Sequence, residues 1–142
     1  MIRIKKENKK RKIYLAGCIS HYLKNNQKEK ATNWRSKIIL NTLNCEIYNP
    51  MDLFLSDIQN LNHQMGLANN KFHLKQSDII IVNLTNIEKS PGTLYELFTA
   101  LSMNKTILGF GEHEWLEIPH FGQCFDYVFK NIDEILQFLP FM

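Results

Sequence analysis

The chain has 142 residues, of which 44% are hydrophobic and 22% are charged, a composition that suits one globular domain with a single ordinary core. Its longest apolar runs are too short to cross a bilayer, and no apolar segment typical of a secretory signal follows the first methionine. The formal net charge is +3, but residues 1–12 alone carry +6, so residues 13–142 carry −3.

The basic charge is therefore concentrated at the N-terminus. We predict a basic tail over residues 1–11 and one domain over residues 12–142. Such a tail can contact nucleic acid weakly through phosphate charge alone. The rest of the chain has no basic patch interleaved with aromatic residues, so the sequence predicts neither a nucleic-acid-binding protein nor a membrane protein.

Strand-like and helix-like segments alternate along the domain. The predicted strands are 12–17, 45–48, 78–84, 105–110 and 126–129, the predicted helices are 26–43, a segment ending near 76, 95–104 and 133–139, and loops are predicted at 51–61 and 111–122. This alternation predicts an α/β fold, in which one doubly wound, mainly parallel five-stranded sheet carries helices on both faces, as in flavodoxin-like and Rossmann-like proteins. Ligands bind such sheets beyond the carboxyl ends of the strands.

One polar loop follows the most apolar strand and leads into a helix. Its sequence from Ser90 to Leu97 is Ser-Pro-Gly-Thr-Leu-Tyr-Glu-Leu. Free backbone N–H groups at a helix start can hold an anion or a ligand oxygen. Glu96, predicted in the first helical turn, would face the same crevice. Two interpretations remain open, because a first-turn glutamate can also simply complement the helix dipole.

Several functional patterns are absent from the sequence. The chain lacks the GxxxxGK pattern of phosphate-binding loops, the GxGxxG dinucleotide pattern, the GxSxG hydrolase pattern and the HExxH zinc pattern. We therefore expect no metal and no organic cofactor. The three cysteines, Cys18, Cys45 and Cys124, form no CxxC pair, which favours reduced thiols and a cytoplasmic protein. A nucleophilic Cys18 is a weak alternative, since no histidine partner is evident.

Five short motifs occur in a characteristic order. They are Tyr-Leu-Ala-Gly at 14–17, Trp-Arg at 34–35, Asn-Pro-Met-Asp at 49–52, Ser-Asp-Ile-Ile at 77–80 and the segment at 90–97. Together they resemble the nucleoside 2-deoxyribosyltransferase superfamily, which includes 2'-deoxynucleoside 5'-phosphate N-hydrolases. The resemblance covers about residues 12–139. It implies an enzyme that cleaves or transfers at the N-glycosidic bond of a nucleoside or nucleotide.

The resemblance also implies roles for individual residues. Glu96 matches the family's nucleophile, which attacks the anomeric carbon and expels the base. Ser90 stands where members acting on free nucleosides carry an acid and members acting on 5'-monophosphates carry serine. The sequence thus favours a 2'-deoxynucleoside 5'-monophosphate, with Ser90 and Gly92 holding the 5' group. A transferase acting on free nucleosides remains the alternative enzyme. The family also implies a homodimer or a larger homo-oligomer.

The chain departs from the family pattern at positions that would contact the base. Asn70 replaces the aspartate expected eight residues before Asp78, and an amide can bind a base but cannot deliver a proton to it. Phe54 stands near the position at which the family's transferases carry a glutamine that reads the base. A phenylalanine there can stack on a base but cannot read its edge. The substitution at Asn70 leaves a non-catalytic nucleotide sensor as another alternative.

Further residues were predicted around the substrate. Tyr14, Gly17, Asp52 and Phe54 complete the predicted substrate-binding set. The segment from Met51 to Phe54 is predicted to form an apolar lid or a subunit contact, and Phe98, which replaces a family glycine, is predicted to narrow the pocket.

Overall fold

A computed structural model describes residues 10–55 and 63–142. Its strands are β1 (Arg11–Ala16), β2 (Cys45–Tyr48), β3 (Ile79–Asn83), β4 (Thr106–Phe110) and β5 (Tyr127–Phe129). They form one sheet in the order β2-β1-β3-β4-β5, and every neighbouring pair is parallel. The chain adds β2 on one side of β1 and then β3, β4 and β5 on the other side. The connections that follow β1 and β3 therefore leave in opposite directions, which opens a crevice at the carboxyl ends of these two strands.

Seven α-helices and three short 3-10 turns surround this sheet in the described residues. The helices are α1 (Ser20–Lys24), α2 (Lys28–Asn41), α3 (Met51–Leu55), α4 (His63–Gln76), α5 (Pro91–Ser102), α6 (Pro119–Gly122) and α7 (Ile132–Phe138), and the turns are Ile87–Lys89, Glu114–Glu117 and Leu139–Phe141. On one face the sheet packs against α4 and α5 through Leu74 and Leu97. On the other face it packs against α2 and α7 through Ile38 and Ile135. The predicted doubly wound α/β fold is confirmed.

The helix that carries Glu96 begins earlier than predicted. Ser90 caps it by accepting a hydrogen bond from the Thr93 amide at 3.4 Å, and Pro91 occupies the first helical turn, where its missing N–H costs nothing. The helix therefore starts at Pro91 instead of Tyr95. Glu96 lies in the second turn, and the first turn contains no acidic residue. The dipole interpretation of Glu96 is thus wrong, because that interaction is confined to the first turn.

Other boundaries also differ from the predicted ones. The predicted loop at 51–61 begins with a short helix, α3, and its residues 56–62 lie outside the described part of the chain. The predicted loop at 111–122 contains α6, and α1 was not predicted at all. Each of these helices has no more than five residues, too few for a 3.6-residue hydrophobic period to show in sequence. The strand β1 begins at Arg11, one residue before the predicted domain start, and tail residues 1–9 lie outside the described part.

Two further properties bear on the chemistry of the chain. Cys18, Cys45 and Cys124 are all free thiols. Among the described residues, no helix is long and apolar enough to cross a membrane, and no group of three or more His, Cys, Asp or Glu side chains is arranged to hold a metal ion.

Candidate active site

A cavity of about 290 Å³ opens at the carboxyl edge of the sheet. Its walls come from the loop after β1, the start of α1, Pro50 before α3, the middle of α4 and the N-terminal half of α5. Five of the predicted site residues line it together: Gly17, Asn70, Ser90, Gly92 and Glu96. The parallel sheet explains this assembly, because the loops that follow its strands all emerge at the same edge.

Glu96 is the principal ionisable group of the cavity. Its Oε2 atom is buried and has no hydrogen-bond partner among the described residues. Burial raises the pKa of the Glu96 carboxyl to about 7, since the charged form loses its hydration. The carboxyl is therefore partly ionised at neutral pH, and its Oε2 atom is available to a ligand as far as the described residues show.

Tyr14 and Arg35 oppose the effect of burial on Glu96. The Tyr14 hydroxyl lies against the carboxyl and lowers its pKa, although the pair falls short of full hydrogen-bond geometry and the hydroxyl has no other partner among the described residues. The Arg35 charge acts in the same direction. The Tyr14 pKa is itself raised well above its ordinary value, first by burial and then by the Glu96 charge, so Tyr14 stays protonated.

Arg35 is completely buried beneath the cavity floor. Its guanidinium donates to the carbonyl oxygens of Leu15 and Gly17, to the Asn49 side chain and to the Ala31 carbonyl, each at 3.0 Å. Desolvation lowers the pKa of Arg35 to about 10, so the side chain remains charged at neutral pH. Arg35 thus ties the carboxyl end of β1 to the residue that follows β2.

The N-terminus of α5 forms one wall of the cavity. The Ser90 hydroxyl lies 2.6 Å from the Thr93 hydroxyl and caps the helix, as described above. The Gly92 amide has no acceptor among the described residues and points its hydrogen away from the helix, as first-turn amides do. A Cβ atom at Gly92 would meet nothing within 4 Å, so this backbone is open to a ligand.

Positive side chains surround the same wall. Lys89 precedes the cap, Lys71 follows Asn70 on α4, and both line the cavity together with His21 of α1. Glu96 is the only carboxylate among the described residues that line the cavity. The part of the cavity lined by Lys71, Lys89 and the start of α5, here called the outer cavity, is therefore electropositive. The inner cavity carries the Glu96 carboxylate.

Asn70 lies on the α4 wall and has an oriented side chain. Its Oδ1 accepts a hydrogen bond from the Tyr48 hydroxyl at 2.7 Å. Tyr48 in turn accepts from Asn69 Nδ2 at 2.9 Å. Burial raises the pKa of Tyr48 to about 12, so this phenol remains protonated and able to donate.

Gly17 is required by close packing under the cavity. A Cβ atom there would lie 2.7 Å from Trp34 Cζ2 and 3.3 Å from Asn83 Cβ. No side chain fits between the cavity and the buried Trp34 ring. Gly17, predicted to lie beside the ligand, is therefore also needed because no larger residue fits at its position.

Two other predicted substrate contacts, Tyr14 and Asp52, lie outside the cavity lining. Tyr14 is fully buried and interacts with Glu96 from beneath the cavity. Asp52 is exposed on α3, and the Phe54 side chain lies outside the described part. Met51 is fully buried in a small core with Tyr22, so it forms no lid. Phe98 is half exposed and does not line the cavity, so it does not narrow it.

The sequence matches the model of one protein family. Residues 13–127 match the nucleoside 2-deoxyribosyltransferase family. The chain belongs to this family. The resemblance identified from the five short motifs is thus confirmed, and N-glycosidic bond cleavage or transfer on nucleosides or nucleotides is the chemistry that membership supports. A comparison with curated protein sequences gives no significant match.

Solved structures show the same fold at low sequence identity. A 2-deoxyribosyltransferase from Bacillus psychrosaccharolyticus is 19% identical with a TM-score of 0.66, and the match covers 88% of this chain and 90% of that one. A 2-deoxyribosyltransferase from Leishmania mexicana is 20% identical with a TM-score of 0.54, and the match covers 76% and 70%. A CMP N-glycosidase from Clostridium botulinum is 18% identical with a TM-score of 0.52, and the match covers 92% and 98%.

The sequence analysis did not identify several residues that the structure places at this deoxyribosyltransferase-family site. Lys71 and Lys89 are direct neighbours of the predicted Asn70 and Ser90, and a search for charge beside each site residue would have found them. Arg35 belonged to a recognised motif but was given no role. Tyr48 carried no signal, because its partner Asn70 is 22 residues away.

Proposed function

We propose that this protein cleaves or transfers the base of a 2'-deoxynucleoside 5'-monophosphate, with Glu96 as the nucleophile. The observation that carries the proposal is the Glu96 Oε2 atom, which is buried, has no partner at full hydrogen-bond geometry among the described residues, and belongs to a carboxyl with a pKa of about 7. Buried polar atoms are normally satisfied, and the exceptions concentrate at functional sites. A substrate carbon would complete this site.

The reaction follows the logic of a retaining glycosidase. The ionised Glu96 oxygen bonds to the anomeric carbon while the bond from that carbon to the base nitrogen breaks, and the bonding electron pair leaves with the base. Water then hydrolyses the resulting ester, or a second base takes the sugar. Tyr14 and Arg35 stabilise the carboxylate form that attacks, which follows from their effect on the Glu96 pKa.

The outer cavity supports a phosphate at the 5' position. Lys71 and Lys89 supply positive charge, and the Gly92 amide supplies a donor at the positive end of the α5 dipole. A free 5'-hydroxyl would not use this charge, so the geometry favours a nucleotide over the alternative free nucleoside. The Clostridium botulinum neighbour is named for CMP, a ribonucleoside 5'-monophosphate, so a nucleotide substrate is consistent with this fold.

The proposed substrate can be tested directly by a panel assay. The purified protein is incubated with the deoxynucleosides and their 5'-monophosphates, with and without an acceptor base, and released base is measured. Release from monophosphates is expected to exceed release from nucleosides by at least about tenfold, since a phosphate adds charge-assisted hydrogen bonds. Equal rates would favour the nucleoside enzyme. Binding without release would favour the sensor.

Ser90→Asp should reverse this preference without disturbing the fold. Aspartate is as good a helix cap as serine, so α5 should remain intact, but its charge would repel the phosphate. Ser90→Asn is the matched control, since it caps equally well without charge. We expect calorimetry to show monophosphate affinity reduced about tenfold or more for Ser90→Asp and little changed for Ser90→Asn. Equal loss of nucleoside and monophosphate affinity would place Ser90 away from the 5' group.

We also propose that the enzyme is a homodimer or a larger homo-oligomer. Helices α4 and α5 expose neighbouring apolar side chains that a monomer would leave in water, namely Leu67, Phe72, Tyr95, Phe98 and Leu101. Leu67 and Tyr95 also line the cavity, so a partner on this face would border the site. Light scattering should give a multiple of the 16.7 kDa chain mass, and Phe98→Asp should reduce that mass. A species of 16.7 kDa at micromolar concentration would refute the proposal.

The three free thiols support a reducing compartment such as the cytoplasm. All three cysteines lie in the described part of the chain, and no two of them form a disulfide, the bond that an oxidising compartment would favour.

A further inference from the structure

Three side chains, those of Asn69, Tyr48 and Asn70, form a linear hydrogen-bond network that begins outside the cavity and ends at Asn70. Asn69 Nδ2 donates to Tyr48 Oη at 2.9 Å, and Tyr48 Oη donates to Asn70 Oδ1 at 2.7 Å. A phenol has one proton, and that proton is committed to Asn70. The network therefore runs in one direction, from Asn69 through Tyr48 to Asn70, and each bond polarises the next.

The Tyr48 ring is held by two neighbouring aromatic rings. It stacks on the His73 ring with centroids 3.9 Å apart and an interplanar angle of 11°. It also contacts the Tyr14 ring at 5.2 Å, and Tyr14 is its paired residue in the β1–β2 register. The position of the Tyr48 hydroxyl is thus set by the sheet and by α4.

This anchoring leaves one end of the Asn70 amide for a ligand. Tyr48 does not line the cavity and Asn70 does, so the Oδ1 atom is turned away from the cavity towards Tyr48. The Nδ2 group, with two N–H donors, is the end that remains. No hydrogen bond from Asn70 Nδ2 to another described residue is present beside the one that Oδ1 accepts.

We propose that Tyr48 is a positioning residue for base selection, which holds the Asn70 NH2 group in the cavity so that the site favours bases presenting a hydrogen-bond acceptor there. The inference rests on the proposed function, because it takes the base to lie beside Asn70. A base that presents a donor or a C–H group at that atom would cover the NH2 group without pairing it, which is costly.

The same donor gives Asn70 a part in base departure without proton transfer. As the N-glycosidic bond breaks, its electron pair moves onto the base, and the ring nitrogens and keto oxygens become more negative. An N–H donor fixed at such an atom binds the departing base more strongly than the intact nucleotide. The proton stays on Asn70, and the base leaves as a stabilised anion that takes a proton from water.

The test compares natural nucleotides with analogues that lack one acceptor. The substrates are the four natural 2'-deoxynucleoside 5'-monophosphates and matched analogues in which a ring nitrogen is replaced by C–H or the O2 oxygen by sulfur. The measured quantity is the ratio of kcat/KM for each natural nucleotide to that of its analogue. Because the intrinsic reactivity of an analogue is the same with every variant, a change in this ratio between proteins reports on the site alone.

The variant is Tyr48→Phe, which keeps the ring contacts and removes only the hydroxyl. Tyr22→Phe is the matched control, since Tyr22 accepts a hydrogen bond from Asn86 Nδ2 at 2.9 Å and lies outside the cavity lining. For the wild type we expect a preference of about tenfold for the natural nucleotide at one acceptor atom, roughly the effect of one hydrogen bond. Tyr48→Phe should reduce that preference at least about threefold, and Tyr22→Phe should leave it unchanged.

Several results would overturn the inference. If Tyr48→Phe lowers kcat/KM equally for natural nucleotides and analogues, Tyr48 has only a structural role. If the wild type does not discriminate, or prefers a base with a donor at the selected atom, the NH2 group does not face the base.

Calorimetry in the Glu96→Gln protein separates this inference from the proposed function. A preference for acceptor-bearing bases in binding, together with no turnover by the wild type, would support base selection and refute the proposed reaction. If no nucleotide binds, the proposed function and the inference both fail.

Discussion

Glu96→Gln should reduce base release by at least about a thousandfold, because the amide is a poor nucleophile and no other carboxylate lines the cavity among the described residues. The substitution preserves size and packing, so the protein should remain folded. Chromatography measures the base released from the monophosphate that the wild type cleaves fastest. Glu117→Gln is the control, since Glu117 is exposed and lies outside the cavity lining. A Glu96→Gln rate within about tenfold of the wild type would show that another group attacks the sugar.

The raised pKa of Glu96 also predicts how activity depends on pH. The attacking form is the carboxylate, so kcat/KM should rise with pH through about 7 and then level off.

Stability should depend on pH in the opposite direction. The folded-state pKa of about 7 exceeds the ordinary value of 4.5, so between these values the folded state binds more protons than the unfolded state. The contribution of Glu96 to stability is therefore fully present below pH 4.5 and is lost as the pH rises through about 7. Above pH 7, Glu96→Gln should raise the free energy of unfolding by an amount on the order of 3 kcal/mol. Urea unfolding at pH 5 and pH 8 measures the effect, and a variant less stable than the wild type at pH 8 would contradict the burial argument.

Arg35→Met should be the most destabilising substitution around the site. It removes the guanidinium from four acceptors at once, and the Leu15 carbonyl, the Gly17 carbonyl and the Asn49 side chain lose a buried partner. We expect the free energy of unfolding to fall by about 3–5 kcal/mol, the usual consequence of breaking a buried charged network. Arg35→Lys should lose less, since it keeps the charge, but its single ammonium cannot reach all four acceptors.

The control for Arg35 is Arg11→Met, an exposed arginine at the start of β1. Urea unfolding of the three variants at one pH gives the comparison. A loss below about 1 kcal/mol for Arg35→Met would mean that water or neighbouring groups replace the guanidinium. Where Arg35→Met folds, removal of the positive charge should raise the Glu96 pKa and move the rise in kcat/KM to higher pH, because Arg35 lowers that pKa in the wild type.

The sequence by itself determined the architecture of the domain. Alternating apolar strands and amphipathic helices imply right-handed βαβ units, and these place the loops after β1, β2 and β3 at one edge of the sheet. This is why Gly17, Ser90, Gly92 and Glu96 could be assigned to one crevice from their positions in the chain, whereas Asn70 was assigned through the family resemblance. The structure brings all five to one cavity. The short helices and the start of α5 were mistaken, because a serine cap with a following proline decides a helix start more strongly than the hydrophobic period does.

Only the tertiary structure decided the state of the side chains at that edge. The pKa of Glu96 depends on burial and on the distances to Tyr14 and Arg35, which lie 82 and 61 positions earlier in the chain. Tyr48 and Asn70 meet because β2 and α4 pack together, and the direction of their hydrogen bond follows from a third residue, Asn69. Sequence spacing fixes local conformation and the edge at which a loop emerges. Desolvation and hydrogen-bond direction depend on every neighbour in space, and for these residues the neighbours come from segments far apart in the chain.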